Sequence, residues 1–162
     1  MTTSRVKWIV TGEDQLDGLA EWLVDLLRPG GVLFLKGPLG AGKTTLAKAI
    51  GRVLGVQEEM TSPTFDLVHV HRLPALTIYH LDGYRLDQPE EWEVLDLPPA
   101  DEPHVVILGE WADGLRDWYP ERLEVELAGV ANHPSWRQAW VSAWGTRYPP
   151  ARLARGGHTD GV

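Results

Sequence analysis

The sequence predicts a three-layer α/β fold with a mostly parallel central sheet and antiparallel strands added at the edge. Three observations carry that prediction. Val32-Leu33-Phe34-Leu35 is a short apolar run of the kind that forms a buried parallel strand. It leads into Gly37 to Thr44, Gly-Pro-Leu-Gly-Ala-Gly-Lys-Thr, which fits the phosphate-loop signature G-x-x-x-x-G-K-[ST] in full. Thr44 to Leu54 then places apolar residues at helical spacing, with Gly55 positioned to stop the helix. Strand, loop and helix follow in the order that a P-loop NTPase-like fold requires.

Each residue type in the loop answers a separate chemical need. Gly37, Gly40 and Gly42 allow backbone conformations that a Cβ resists, so that successive N–H groups, those of Leu39 and Ala41 among them, can turn toward phosphate. The helix start near Lys43 adds its positive dipole end. Lys43 supplies a mobile charge for the β- and γ-phosphates, Thr44 a hydroxyl for Mg²⁺, and Thr45 extends the nucleotide-binding run. ATP and Mg²⁺ are the expected cofactors.

Composition narrows the classes. A chain of 162 residues can bury roughly 70% of its unfolded surface without staples. It has no cysteine, which removes disulfides and thiolate metal sites. The N-terminus lacks a signal peptide's apolar middle, and no apolar run reaches 18 residues, so a cytoplasmic protein with no membrane partner is expected. A net charge of -8, with lysines only at 7, 36, 43 and 48, argues against direct binding of DNA or RNA; any RNA would be held by a partner. Residues 1–147 are expected to form one domain, and the Pro-, Gly- and Arg-rich segment 148–162 a flexible tail.

Taken in order, Val6 to Val10 reads as a first strand. Thr11-Gly12-Glu13-Asp14 reads as a capping signal for a helix whose apolar stripe includes Leu16, Leu19, Leu23 and Leu27 and which Pro29-Gly30-Gly31 closes. Thr61-Ser62-Pro63-Thr64-Phe65 is a turn, and in a nucleotide switch it could bring Ser62 or Thr64 near the γ-phosphate. Asp66 to His71 and Leu76 to Leu81 form a hairpin, ending in Asp82-Gly83-Tyr84-Arg85, and Gln88 to Trp92 opens a short acidic helix. His104 to Leu108 is a further buried strand, followed by Gly109-Glu110-Trp111. Four apolar residues and then an acid form a Walker B arrangement, in which Glu110 and Asp82 compete for the Mg²⁺ role; the more uniformly apolar strand favours Glu110. His69, His71 and His80 lie on neighbouring strands, but Mg²⁺ prefers oxygen, and a histidine metal site is not expected. Arg122 to Leu127 alternates as a half-exposed strand. Ser135 to Trp144 alternates too, with Trp136, Trp140 and Trp144 forming a packing ridge opposite Arg137, Ala139, Val141 and Ala143.

The Asn-Lys-x-Asp element that reads guanine is absent, since the single Asn is Asn132. A small-molecule kinase would share the loop and metal site. It usually carries an arginine-bearing lid, whereas Arg85 and Arg116 are isolated here. A nucleotide-gated binding module with incidental hydrolysis is a further alternative.

Gly-x-Leu-Gly-Ala-Gly-Lys-Thr-Thr, Thr61-Ser62-Pro63-Thr64-Phe65, His80-Leu81-Asp82-Gly83-Tyr84-Arg85-Leu86 and Glu110-Trp111, in that order, resemble the TsaE (YjeE) family of bacterial ATPases. The resemblance runs from about Leu16 to Leu127. It implies an ATPase accessory to threonylcarbamoyladenosine modification of tRNA that acts with TsaB and TsaD and meets tRNA only through that complex. It also implies that Thr44 and Glu110 are the Mg²⁺ ligands, that Asp82 is needed for hydrolysis, and that Arg137 lies near the nucleotide. Lys43, Asp82 and Glu110 are thus the catalytic candidates, and Ser62, Thr64, Tyr84, Arg85 and Trp111 the switch-like or partner-facing ones. Pro38 stands where the family usually has an acid and Gly109 where it usually has an apolar residue, and the family's Thr near position 15 or 16 is absent.

Overall fold

The computed structural model describes residues 2–57, 67–83, 89–93, 95–99 and 101–154. The elements in chain order are β1 (Thr2–Val10), α1 (Glu13–Leu27), β2 (Gly31–Lys36), α2 (Lys43–Leu54), β3 (Val68–Arg72), β4 (Thr77–Asp82), α3 (Pro89–Glu93), β5 (Val105–Glu110), β6 (Arg122–Val130), β7 (His133–Trp144) and α4 (Pro150–Ala154). A 3-10 turn spans Asp113–Leu115. Among the described residues no helix is long and apolar enough to cross a membrane.

The strands form one mixed sheet in the order β1-β7-β6-β2-β5-β4-β3. The ladders β6–β2, β2–β5 and β5–β4 are parallel, whereas β1–β7, β7–β6 and β4–β3 are antiparallel. The expected mostly parallel sheet is therefore a four-stranded parallel centre with antiparallel strands on both flanks. The cause is connectivity: β3–β4 and β6–β7 are hairpins, and a short connection forces antiparallel pairing.

One face is covered by α1 and α2. Leu19, Leu23 and Leu27 from α1 and Leu46 and Ile50 from α2 are fully buried against Leu33, Leu35 and Leu123 of the sheet. Each such leucine contributes about 1.5–3 kcal/mol of burial. The other face has a thinner cover over the parallel centre, where Trp92 of α3, Leu115 and Tyr119 pack on Phe34, Leu81 and Ile107.

Several local expectations are corrected. Helix α1 is capped at Gly12 with no side-chain bond, so Thr11 is not the cap; Glu13 and Asp14 instead meet the positive end of the helix dipole. In β6, Arg122 and Glu124 are buried rather than half-exposed, because Arg122 Nε donates to Glu124 Oε2 at 2.6 Å and its guanidinium lies 4.8 Å from the Trp144 ring. Trp136, Trp140 and Trp144 do not form a ridge in the core, which takes the opposite face, Ala139, Val141 and Ala143. The indoles stay half-buried, with Arg5 stacked 4.3 Å over Trp140 and His133 3.7 Å over Trp136. Nor are residues 148–154 a free tail. Tyr148 and Leu153 are fully buried, and α4 packs against β1. Residues 155–162 lie outside the described set.

Candidate functional site

The loop between β2 and α2 takes the backbone shape its glycines permit. Gly37, Gly40 and Gly42 have φ of 141°, 78° and 104°, in the region that disfavours a Cβ, and Gly42 caps α2. At Gly37 a Cβ would also lie 2.6 Å from the Leu127 carbonyl. Helix α2 ends on Gly55, again left-handed, with Val56 N donating to Gly51 O at 2.9 Å. The loop is thus held between a buried strand and a well-terminated helix.

Register brings the acids to this loop. Glu110 is the last residue of β5, paired with Leu35 on β2 and Asp82 on β4, so both carboxylates emerge at the carboxyl ends of the parallel strands. Binding sites of open α/β sheets sit there. Thr44 Oγ1 donates to Glu110 Oε1 at 3.3 Å. Lys43 Nζ donates to the Gly37 and Pro38 carbonyls at 2.6 and 2.8 Å and lies 4.4 Å from the Trp111 ring centroid. Burial holds the Lys43 ammonium below its ordinary pKa, opposed by the Glu110 and Asp82 charges. Lys43, Thr44, Asp82, Glu110 and Trp111 together line a cleft of about 370 Å³, with Leu39 at its mouth, 69% exposed.

On the other side of the loop, Thr45, Ala41, Leu16 and Leu127 line a recess of about 320 Å³. Arg137 lines it too. Its Nε donates to Ala41 O at 3.1 Å and its Nη2 to Gly40 O at 3.3 Å, so it braces the loop from β7. Trp111 adopts φ of 54°, an uncommon conformation for a large side chain, directly after Glu110. Ser62, Thr64, Tyr84 and Arg85 lie outside the described residues.

The geometry adds one residue that sequence reasoning did not place at the site. His80, fully buried, has its Nε2 2.7 Å from Glu110 Oε2. The signal was available, since Ile78, His80 and Asp82 alternate onto one face of β4 and a histidine there interrupts an apolar pattern.

Gly109, a departure from the pattern of the resembled family, is explained by its neighbours. It pairs with Phe34 on β2, and a Cβ would lie 2.8 Å from Ala112 Cβ and 3.0 Å from Phe34 Cδ1.

Comparison with known proteins shows the family. A family model described as "Threonylcarbamoyl adenosine biosynthesis protein TsaE" matches residues 10–138. The tRNA threonylcarbamoyladenosine biosynthesis protein TsaE of Bacillus subtilis is 32% identical over 145 residues, covering 89% of each chain. That of Streptomyces coelicolor is 37% identical over 144 residues, covering 84% of this chain and 95% of its own. The crystal structure of Bacillus subtilis YdiB superposes with a TM-score of 0.67 at 27% identity, covering 96% of this chain and 95% of that one. With its central 129 residues matched and relatives above 30% identity aligned along most of their length, the chain belongs to the TsaE family, which serves tRNA threonylcarbamoyladenosine biosynthesis.

Proposed function

We propose that the protein binds Mg-ATP in the cleft between the Gly37–Thr44 loop and the ends of β4 and β5 and hydrolyses it as an accessory to tRNA modification. The observation that carries the reading is the convergence of Lys43, Thr44, Asp82 and Glu110 on one cleft beside a glycine-shaped loop. The donor set suits Mg²⁺, which prefers oxygen and keeps several waters alongside phosphate oxygens. Thr44 and Glu110 offer oxygens that already meet at 3.3 Å, and among the described residues no cluster of three or more His, Cys, Asp or Glu forms a closed protein cage. Thr44 and Glu110 would hold the ion, which supplies charge neutralisation at the phosphates when bound.

The chain's own groups then divide the work. Backbone N–H groups of Leu39 to Thr44 and the start of α2 bind phosphate. Lys43 exchanges the Gly37 and Pro38 carbonyls for phosphate oxygens, and Trp111 shields its ammonium from solvent. Asp82, at the cleft edge, orients the attacking water. The recess beside Leu16 and Arg137 takes the nucleoside end.

Turnover by the protein alone should be slow. No arginine lines the cleft among the described residues, and a finger arginine is worth roughly 10³ to 10⁵ in rate. In this reading TsaB and TsaD complete or order the site in the cytoplasm, and they hold the tRNA, in keeping with the net charge of -8.

The test is Mg²⁺-dependent ATP hydrolysis by the pure protein, with and without TsaB, TsaD and tRNA. Stimulation by the partners that disappears in Lys43→Ala supports the reading. Turnover at tens per second by the protein alone, or γ-phosphate appearing on an acceptor other than water, overturns it, the second in favour of a kinase. Function that survives Glu110→Ala with ATP still bound would point to a gated module instead.

A further inference from the structure

We propose that His80 is the positioning residue for Glu110: it grips one carboxylate oxygen from inside the sheet so that the other is presented to Thr44 and the metal side of the cleft. The inference rests on the Mg-ATP reading above. His80 and Glu110 lie on adjacent parallel strands. The register pairs His80 with Leu108 and Asp82 with Glu110, and the imidazole reaches diagonally to its acid. The contact is short, 2.7 Å from Nε2 to Oε2, and both side chains are buried. With Glu110 ionised, the contact requires the tautomer whose Nε2 donates to Oε2.

Glu110 is thereby held at both oxygens, Oε2 by His80 and Oε1 by the Thr44 hydroxyl. A carboxylate held this way keeps one orientation before any ion arrives. Partners of this type behind metal ligands typically govern metal affinity by 10- to 100-fold.

The rest of the imidazole's environment argues against a packing role. Its Nδ1 has no hydrogen-bond partner among the described residues. A leucine or methionine would fill the same space beside Ile78 without stranding a buried nitrogen, and such stranding costs stability. What histidine adds at this position is the single bond to Glu110.

Four proteins test this: wild type, Glu110→Gln, His80→Leu, and His80→Gln, whose amide nitrogen can reach the place of Nε2. Binding of a non-hydrolysable ATP analogue is titrated with Mg²⁺. In His80→Leu the Mg²⁺ needed for half-maximal enhancement should rise about 10- to 100-fold, while affinity without Mg²⁺ stays within about twofold. His80→Gln should recover most of the loss. In the nucleotide-free wild type, nitrogen NMR of His80 should show a protonated Nε2 and a bare Nδ1, with the Nε2 signal moving in Glu110→Gln. A wild type whose nucleotide binding ignores Mg²⁺ overturns the Mg-ATP reading itself. A wild type that responds to Mg²⁺ beside a His80→Leu that responds equally, or an Nε2 signal indifferent to Glu110→Gln, overturns the role of His80 alone. The NMR measurement needs no variant at His80 to fold.

Discussion

Phe34 and Gly109 occupy paired positions on β2 and β5, and the volume of one dictates the absence of a side chain at the other. Gly109→Ala should destabilise the protein by about 1–3 kcal/mol through overpacking against Ala112 and Phe34. A thermal midpoint several degrees lower, with m-value unchanged, is the expected readout. Tyr119, which donates to the Pro98 carbonyl at 2.7 Å and lies beside Phe34, makes a second prediction. Burial, reinforced by Tyr79, pushes its phenol up to about 12. A pKa raised in the folded state means that stability is fully present below pH 10 and is lost as pH rises from 10 toward 12. Urea melts across that window should show the decline, and Tyr119→Phe should flatten it, leaving a residue from Tyr148, whose phenol burial also raises.

At the scale of elements, the loop between β2 and α2 is shaped by glycine but braced by a strand remote in sequence. Arg137 of β7 ties the Gly40 and Ala41 carbonyls to the sheet. Arg137→Met keeps the length of the side chain and removes both bonds. ATP-analogue affinity should fall about tenfold, the low end for charge-assisted bonds, as measured by calorimetry. A Kd within twofold of wild type would show that the loop holds its shape unaided. The α2 terminus is more self-contained: Gly42 and Gly55 cap it through their own left-handed conformations, and no distant residue is required.

Across the whole molecule, the antiparallel flanks decide what the parallel centre can present. β7 joins β6 to β1 and carries Arg137 to the loop, and the segment after it closes the α1 side of the core. Arg152 Nη2 donates to the Leu26 carbonyl, and Leu153 is fully buried. Leu153→Ala should therefore cost about 2–5 kcal/mol, and truncation after residue 147 should cost more, since Tyr148 leaves too. Denaturant melts of the two proteins check this; a truncated chain as stable as the full one would mean that this packing contributes nothing.

What the sequence by itself determined was local. The apolar run, the glycines and Lys43-Thr44 specify strand, loop and helix because each depends on neighbours a few residues away, and the hairpins and the acid after β5 follow from the same short-range rules. The sequence motif brought Thr44 and Glu110 to attention for their residue types, and the fold placed them 3.3 Å apart. The tertiary structure alone decided what depends on register and on long-range packing: the pairing of β1 with β7, burial of Arg122 with Glu124, a packed rather than free segment 148–154, and His80 behind Glu110. These outcomes leave no periodicity to read, because whether a polar side chain in a strand meets solvent or another buried group is fixed only when its neighbouring strand is in place.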